Sequence, residues 1–587
     1  MDKHAIFLLA AAQCKLLAAA GLLTLLAGCA ASPQEKDPAP APEPEPERTN
    51  VTEQERLAGA DPDVLFHVMA AERLIGLGEY RDALDQYLEA ALIADDEELA
   101  RQVSRLAGQL GEWEIALIGT DRWLELNPGN EDAKQMRLLA WLNSGRVDEA
   151  VNGLVELIER QGDPQQGWRR ATLLLSAAED DELAVEAMSR LVERSGRDAM
   201  APDILYMQSV LYWQIGEPER ALELALEAAA ESDERKYRVW AAQLAAEQGE
   251  LELALDLYRM ARAEEPEYAP LALSESEVLR QLQRDDEALE LLRDMPADSD
   301  VLYTLGVYLV YMERFEEGEA VWNELVAQGT LEDPLQHSFL VARLAELLEL
   351  DEEALKWYRK VDAGPNRDRA RLRRAVLKAS GGELDAAREL LRAVRQSEDR
   401  QLVEQAWLVE AELLRDAEQA SESVELLGRA LREAPNSIRL LYARGLNAAQ
   451  ADNLELAEQD FRRIIQIDSE NAMALNALGY TLTDRTNRHQ EAYRLIRRAM
   501  ELEPDEPAIL DSMGWVYFRL GQPERALPYL KRALEGEDNP EIAAHVIEVL
   551  WALERRDEAL ELRDRAVVEW PDDDYLTDTL ERLGLDG

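Results

Sequence analysis

Residues 474–534 read ALNALGYTLTDRTNRHQEAYRLIRRAMELEPDEPAILDSMGWVYFRLGQPERALPYLKRAL, and two copies of one pattern lie side by side in them. Leu478-Gly479 is echoed by Met513-Gly514, Ala492 by Ala526, and Ala499 by Ala533. Each copy reads as a helix carrying a small residue, a short polar break, and a second helix whose small residues recur every seven positions.

The small residue opening the second helix can be followed outward at Ala83, Ala116, Ala150, Ala184, Ala221, Ala254, Ala288, Gly318, Ala354, Ala387, Ser423, Ala457, Ala492, Ala526 and Ala559, a mean spacing of 34 residues. Antiparallel helices approach closely only where one side chain is tiny. The partner slot on the first helix is small for the same reason, as at Ala71, Ser104, Ser209, Ala242, Ser276, Gly306, Ala342, Ala375, Ala411, Gly445, Gly479 and Gly514; the weak copies carry Leu138, Thr172 and Ile547. Proline closes several units, at Pro128, Pro266, Pro435, Pro504 and Pro571.

A two-helix unit of about 34 residues is the signature of a tetratricopeptide (TPR) array. The fold class expected is all-α: a TPR solenoid of about 15 helix-turn-helix repeats, stacked because no pair can bury its apolar stripe alone. The TPR resemblance implies a right-handed superhelix with first helices on the concave side. The spacing slips to 37 between Ala184 and Ala221 and to 30 between Ala288 and Gly318, and longer or tighter loops near residues 195–202 and 295–300 are expected there. The array divides as N-terminal repeats 61–295, central repeats 296–403, and C-terminal repeats with a cap, 404–587.

The first residues read differently. Residues 16–27 carry no charge, a run too short to span a bilayer but suited to a signal-peptide core. It ends in Leu26-Ala27-Gly28-Cys29, which resembles the bacterial lipobox. That resemblance implies a lipoprotein signal peptide at 1–28 and a diacylglycerol on the thiol of Cys29. Residues 33–47, PQEKDPAPAPEPEPE, cannot pack and read as an extended tether within 29–60. Ala30 in place of an aspartate favours, by the same resemblance, the outer membrane. The only cysteines are Cys14 and Cys29, so a chain that loses its signal keeps no disulfide, as an oxidising periplasm permits.

Acidic residues number 119 against 64 basic, a formal charge of −55, so phosphate backbones are repelled and no nucleic-acid partner is expected. Chemistry is hard to find. His4, His67, His337, His489 and His545 form no metal-ligand pair at helical spacing, and there is neither a phosphate-binding glycine loop nor a nucleophile elbow. No enzyme activity, cofactor or metal is expected. Trp168 and Trp407 fall four residues into their repeats, where TPR motifs place a packing aromatic.

One local departure stands out. Residues 367–378, RDRARLRRAVLK, hold six bases and one acid. Arg371 and Arg374, three apart on a first helix, share a face and with Lys378 are the candidate partner-binding residues. Ion pairing with the chain's own acids is the competing account. Arg485, Arg488, Arg494, Arg497 and Arg498 form a second basic cluster open to the same two accounts.

The lipobox, the tether, the array and the wording NALGYTLTDR…EPAILDSMGWVYFRLG together resemble the proteobacterial outer-membrane TPR lipoproteins that are adaptors for a periplasmic carboxy-terminal processing protease. The resemblance implies a lipid-anchored protein facing the periplasm, bound to the membrane through its lipid only. It also implies, as partners, the serine protease and its substrates, notably peptidoglycan hydrolases. The family's Gly479, Tyr480, Asp511, Gly514 and Trp515 are present and read as packing residues, with Ala354, Ala457, Ala492 and Ala526 in the structural slots. A scaffold for exopolysaccharide export or pilus assembly is the alternative.

Overall fold

The computed structural model describes residues 61–160, 164–196, 201–328 and 333–585. The expected signal peptide 1–28, Cys29 and the expected tether lie outside them. The described residues form 31 helices and no strand: fifteen successive pairs, and a last helix, Asp574–Leu583, packed on Pro540–Ala552.

Local chemistry sets the helix ends. Many first helices start on an Asp, Asn or Ser whose side chain accepts an otherwise orphaned backbone N–H. Asp96 accepts from Glu98 N (2.8 Å), Asn471 from Ala474 N (3.0 Å) and Asn539 from Glu541 N (2.9 Å). The break between the two helices of a pair is one recurring turn. Five residues before the second-helix anchor, the backbone enters the left-handed region in thirteen of the fifteen pairs. At Gly521 (φ 76°), N–H groups of Gly521 and Gln522 bond Phe518 O (2.8 Å) and Tyr517 O (2.9 Å). Glu418 (φ 58°) makes the same turn, its N–H and that of Gln419 bonding Arg415 O (2.9 Å) and Leu414 O (2.8 Å).

The small residues sit where close approach requires them. All fifteen second-helix anchors are buried, Ala354, Ala457, Ala492 and Ala526 completely. Gly479 and Gly514 show how tight the approach is. A Cβ on Gly479 would stand 2.5 Å from Ile496 Cγ1 and 3.3 Å from the Ala492 carbonyl oxygen; on Gly514, 2.5 Å from Leu530 Cγ and 3.1 Å from Ala526 O. Serines in these slots bond straight across to the partner backbone: Ser209 Oγ to Ala221 O (2.6 Å) and Ser423 Oγ to Ala411 O (2.9 Å). In the weak copy with Leu138, the roles are exchanged. Leu138 fills the slot and Gly153, on the second helix, leaves its side-chain space to the leucine.

The 37-residue step has the longer connection expected of it, residues 196–201 between helices Asp181–Ser195 and Pro202–Gln214 against 94–96 between Tyr80–Ile93 and Glu97–Gln109, but the 30-residue step is absorbed differently. The 30-residue step follows a second helix, Asp285–Arg293, of only nine residues where fourteen is common. A first helix of seventeen residues, Arg400–Asp416, accommodates the 36-residue step from Ala387 to Ser423. Helix length, as well as loop length, is therefore the adjustable quantity. The described helices fall into two compact units, one ending at Arg314 and the other starting at Phe315, a division inside the expected central segment 296–403. In the second unit the main core runs continuously from Trp407 to Ala559 through Phe461, Ile464, Ile496 and Leu530.

Candidate functional site

The basic stretch lies on helix Arg367–Ser380, which packs against the short helix Asp351–Tyr358. Arg367, Arg371, Arg374 and Lys378 recur at helical spacing along one stripe of it. Asp368, buried at the start of the helix, receives Arg367 (3.1 Å) and Arg371 (2.9 Å) at one carboxylate. Lys378 pairs with Glu383 (2.8 Å) and Arg373 with the buried Glu346. Of the three residues singled out from sequence, Arg371 and Lys378 thus have acidic partners within the chain. Arg374 has none among the described residues, and its Nε is buried without a hydrogen-bond partner. Burial first, then the like charges of Arg359 and Arg371, hold its guanidinium below the ordinary arginine value. Lys360 stands 3.0 Å over the centre of the Trp357 ring.

The second basic cluster is largely neutralised. Arg485 pairs with Asp452 (2.7 Å), Arg488 with Glu458 (2.7 Å) and Glu491 (2.8 Å), Arg498 with Glu470 (3.3 Å), and Arg497 approaches Glu501 (3.6 Å). Trp168 and Trp407 are buried, and the guanidinium of Arg395 lies 3.6 Å from the centre of the Trp407 ring.

A buried polar cluster near the C-terminal end has no counterpart in the sequence reading. His545 is fully buried; its Nδ1 is 2.8 Å from Asp511 Oδ1 and its Nε2 2.9 Å from the Tyr575 hydroxyl. Trp515 stacks on the imidazole, ring centres 4.0 Å apart, and the Tyr480 hydroxyl donates to Glu541. Burial pulls the imidazole pKa down, but the charge and hydrogen bond of Asp511, with Glu541 and Glu548 beyond, carry it above the ordinary histidine value. Three residues read as packing positions, Tyr480, Asp511 and Trp515, thus also form a polar network. Its signal in the sequence is the repeat period: Asp511 and His545 are 34 residues apart, the same position in consecutive repeats. Beside it opens a cavity of about 370 Å³ lined by Asp484, Trp515, Arg519, Glu548, Tyr575 and Arg582, among others, in which Glu548 holds Arg582 (2.6 Å).

Among the described residues no group of three or more His, Cys, Asp or Glu side chains is placed to hold a metal ion. Among the same residues no helix is long and apolar enough to cross a membrane.

Paired helices nested on tiny residues in a 34-residue register define a repeat solenoid, a scaffold for protein–protein interaction. The chain belongs to the tetratricopeptide repeat family. The model of that family, described as a tetratricopeptide repeat, matches residues 206–270, 303–368, 408–472 and 512–574. The TPR repeat-containing protein PA4667 of Pseudomonas aeruginosa is 30% identical over 532 residues, covering 84% of this chain and 83% of that protein. The type IV pilus assembly protein PilF of the same species is 27% identical over 100 residues, 16% of this chain and 39% of that protein. Among solved structures, a tetratricopeptide repeat protein from Parabacteroides merdae is similar, with TM-score 0.37 and 15% identity over 43% of this chain and 99% of that one.

Proposed function

We propose that the chain is a non-catalytic adaptor, anchored to the outer membrane through a lipid on Cys29 and facing the periplasm. It binds a carboxy-terminal processing serine protease and presents substrates such as peptidoglycan hydrolases to it. The observation that carries the scaffold part is the division of labour along the array. The buried slots at Ala354, Ala457, Gly479, Ala492, Gly514 and Ala526 serve nesting, which leaves the remaining faces of fifteen helix pairs for gripping other proteins. Support for the adaptor part comes from the lipobox-and-tether start and from Gly479, Tyr480, Asp511, Gly514 and Trp515. Mechanistically, confinement by a lipid together with simultaneous holding of protease and substrate raises their mutual effective concentration with no new chemistry.

The test is capture from the host's own periplasm with the chain lacking residues 1–29, followed by crosslinking in intact cells. Recovery of a serine protease together with a wall hydrolase supports the reading; absence of both after crosslinking rejects it. The similarity to a protein named for pilus assembly favours one alternative, a scaffold for pilus assembly or polysaccharide export. Recovery of envelope assembly proteins in place of a protease would select it.

A further inference from the structure

We propose that the face formed by Arg359, Arg367, Arg371 and Arg374 docks a short acidic segment of a partner protein. The proposal rests on the scaffold reading above and names the chemistry of one partner contact.

In a chain of net charge −55, residues 356–378 hold nine bases and two acids. Three of these bases each have an acid of their own within the chain. Lys356 pairs with Glu353 (2.9 Å), Arg373 with Glu346, and Lys378 with Glu383 (2.8 Å). The stripe is different, because Arg367 and Arg371 converge on the single carboxylate of Asp368, whose side chain is only 10% exposed. Arg374, one turn further along, has no acid among the described residues, and the exposed Arg359 at the end of the neighbouring helix adds a fourth guanidinium. Among the described residues, these four guanidinium groups thus have one carboxylate partner between them, and two of the four reach it. The crowding is felt at Arg374, which burial and the charges of Arg359 and Arg371 hold below its ordinary value. Protein surfaces neutralise such groups with carboxylates where they can, and here the chain supplies only one.

The surroundings select the ligand. Arginine forks grip carboxylates bidentately, so an Asp- or Glu-rich segment matches the donor set. An extended polyanion such as a nucleic acid would also lie across the strongly acidic remainder of the surface, whereas screening limits a short segment to the local field, within a Debye length of about 8 Å at physiological salt.

The experiment is fluorescence anisotropy on the full chain with a labelled hexapeptide carrying four carboxylates, against its Gln/Asn counterpart and a DNA oligonucleotide of equal charge. The expected result is binding of the acidic peptide alone, weakened about tenfold by Arg359→Glu and at least as much by the pair Arg371→Gln and Arg374→Gln. Arg359 is at the surface, so its variant decides the matter even where the half-buried pair fails to fold. Equal binding of the uncharged peptide, tighter binding of DNA, or unchanged affinity in Arg359→Glu overturns the proposal. The same variant in the periplasmic capture separates the two ideas. A wild-type chain that captures its partner as well as the variant does retains the adaptor reading and removes this face, whereas a wild-type chain that captures nothing removes the adaptor reading and leaves the peptide titration to judge the face.

Discussion

Gly514→Ala is the sharpest test of close helix nesting. In an open helix interior, exchanging glycine for alanine stabilises by roughly 0.5–1 kcal/mol, because alanine loses less backbone entropy on folding. At Gly514 the new methyl would stand 2.5 Å from Leu530 Cγ, 2.7 Å from Leu530 Cδ2 and 3.1 Å from the Ala526 carbonyl oxygen. Carbon atoms rest about 3.5–4.0 Å apart, so Leu530 must retreat by about 1 Å. It is fully buried, and the Ala526 carbonyl belongs to helix backbone that cannot turn aside. Overpacking of this kind costs about 1–3 kcal/mol, which exceeds the propensity gain and predicts a net loss of about 1–2 kcal/mol. Gly76, with nothing within 4 Å of its added Cβ, is the control, and Gly76→Ala is expected to be neutral or stabilising. Because repeat arrays open locally, the assay is hydrogen exchange across residues 507–536, with urea unfolding followed by tryptophan fluorescence. Gly514→Ala matching Gly76→Ala in sign would refute the nesting argument.

Three further outcomes follow from other sites. Gly153→Ala should destabilise by about 1–3 kcal/mol, and adding Leu138→Ala should recover part of that loss; additive effects in a double-mutant cycle would show the two positions to be uncoupled. Glu418→Gly should stabilise its turn by up to about 1 kcal/mol while Gly521→Ala should weaken its own by about 1–2 kcal/mol, since both positions are left-handed; thermal melts shifting the opposite way would contradict this. His545 is raised above its ordinary value in the fold, so the stability it contributes is complete below the unfolded value of about 6.5 and fades as pH rises through the folded one. The melting-temperature gap between wild type and His545→Asn should therefore shrink from pH 6 to pH 9, and a gap that widens would rule out a protonated imidazole.

The repeat register was readable from sequence because the constraint acts on residue identity: the slot that admits Ala492 or Gly514 rejects a leucine unless the facing residue shrinks, as Gly153 does for Leu138. The left-handed turn was hidden for a related reason. Its conformation is imposed by two backbone hydrogen bonds, so Gln283, Glu349, Glu418 and Asp452 adopt it without being glycine, and residue type alone does not announce it. Loop length accounts for the slip near residues 195–202, whereas at the other two steps helices Asp285–Arg293 and Arg400–Asp416 change length, because the interhelix turn is fixed by its hydrogen bonds and the helix ends are not.

Polar partners are harder to see than packing partners, and the reason is geometric. A stacked array brings together residues one repeat apart, so a histidine that looks isolated along the chain meets Asp511 34 residues upstream and Tyr575 30 residues downstream. The same rule decides which charges are matched: Arg373 finds Glu346 27 residues away on the preceding first helix, while Arg374, its neighbour in sequence, lies on a different stripe and finds no acid among the described residues. Charge counting along residues 367–378 therefore locates the basic segment but cannot sort its members. Sorting them needs the register, and with the register in hand the excess charge resolves to a single face of one helix and the end of another, a patch small enough to be tested by four arginines.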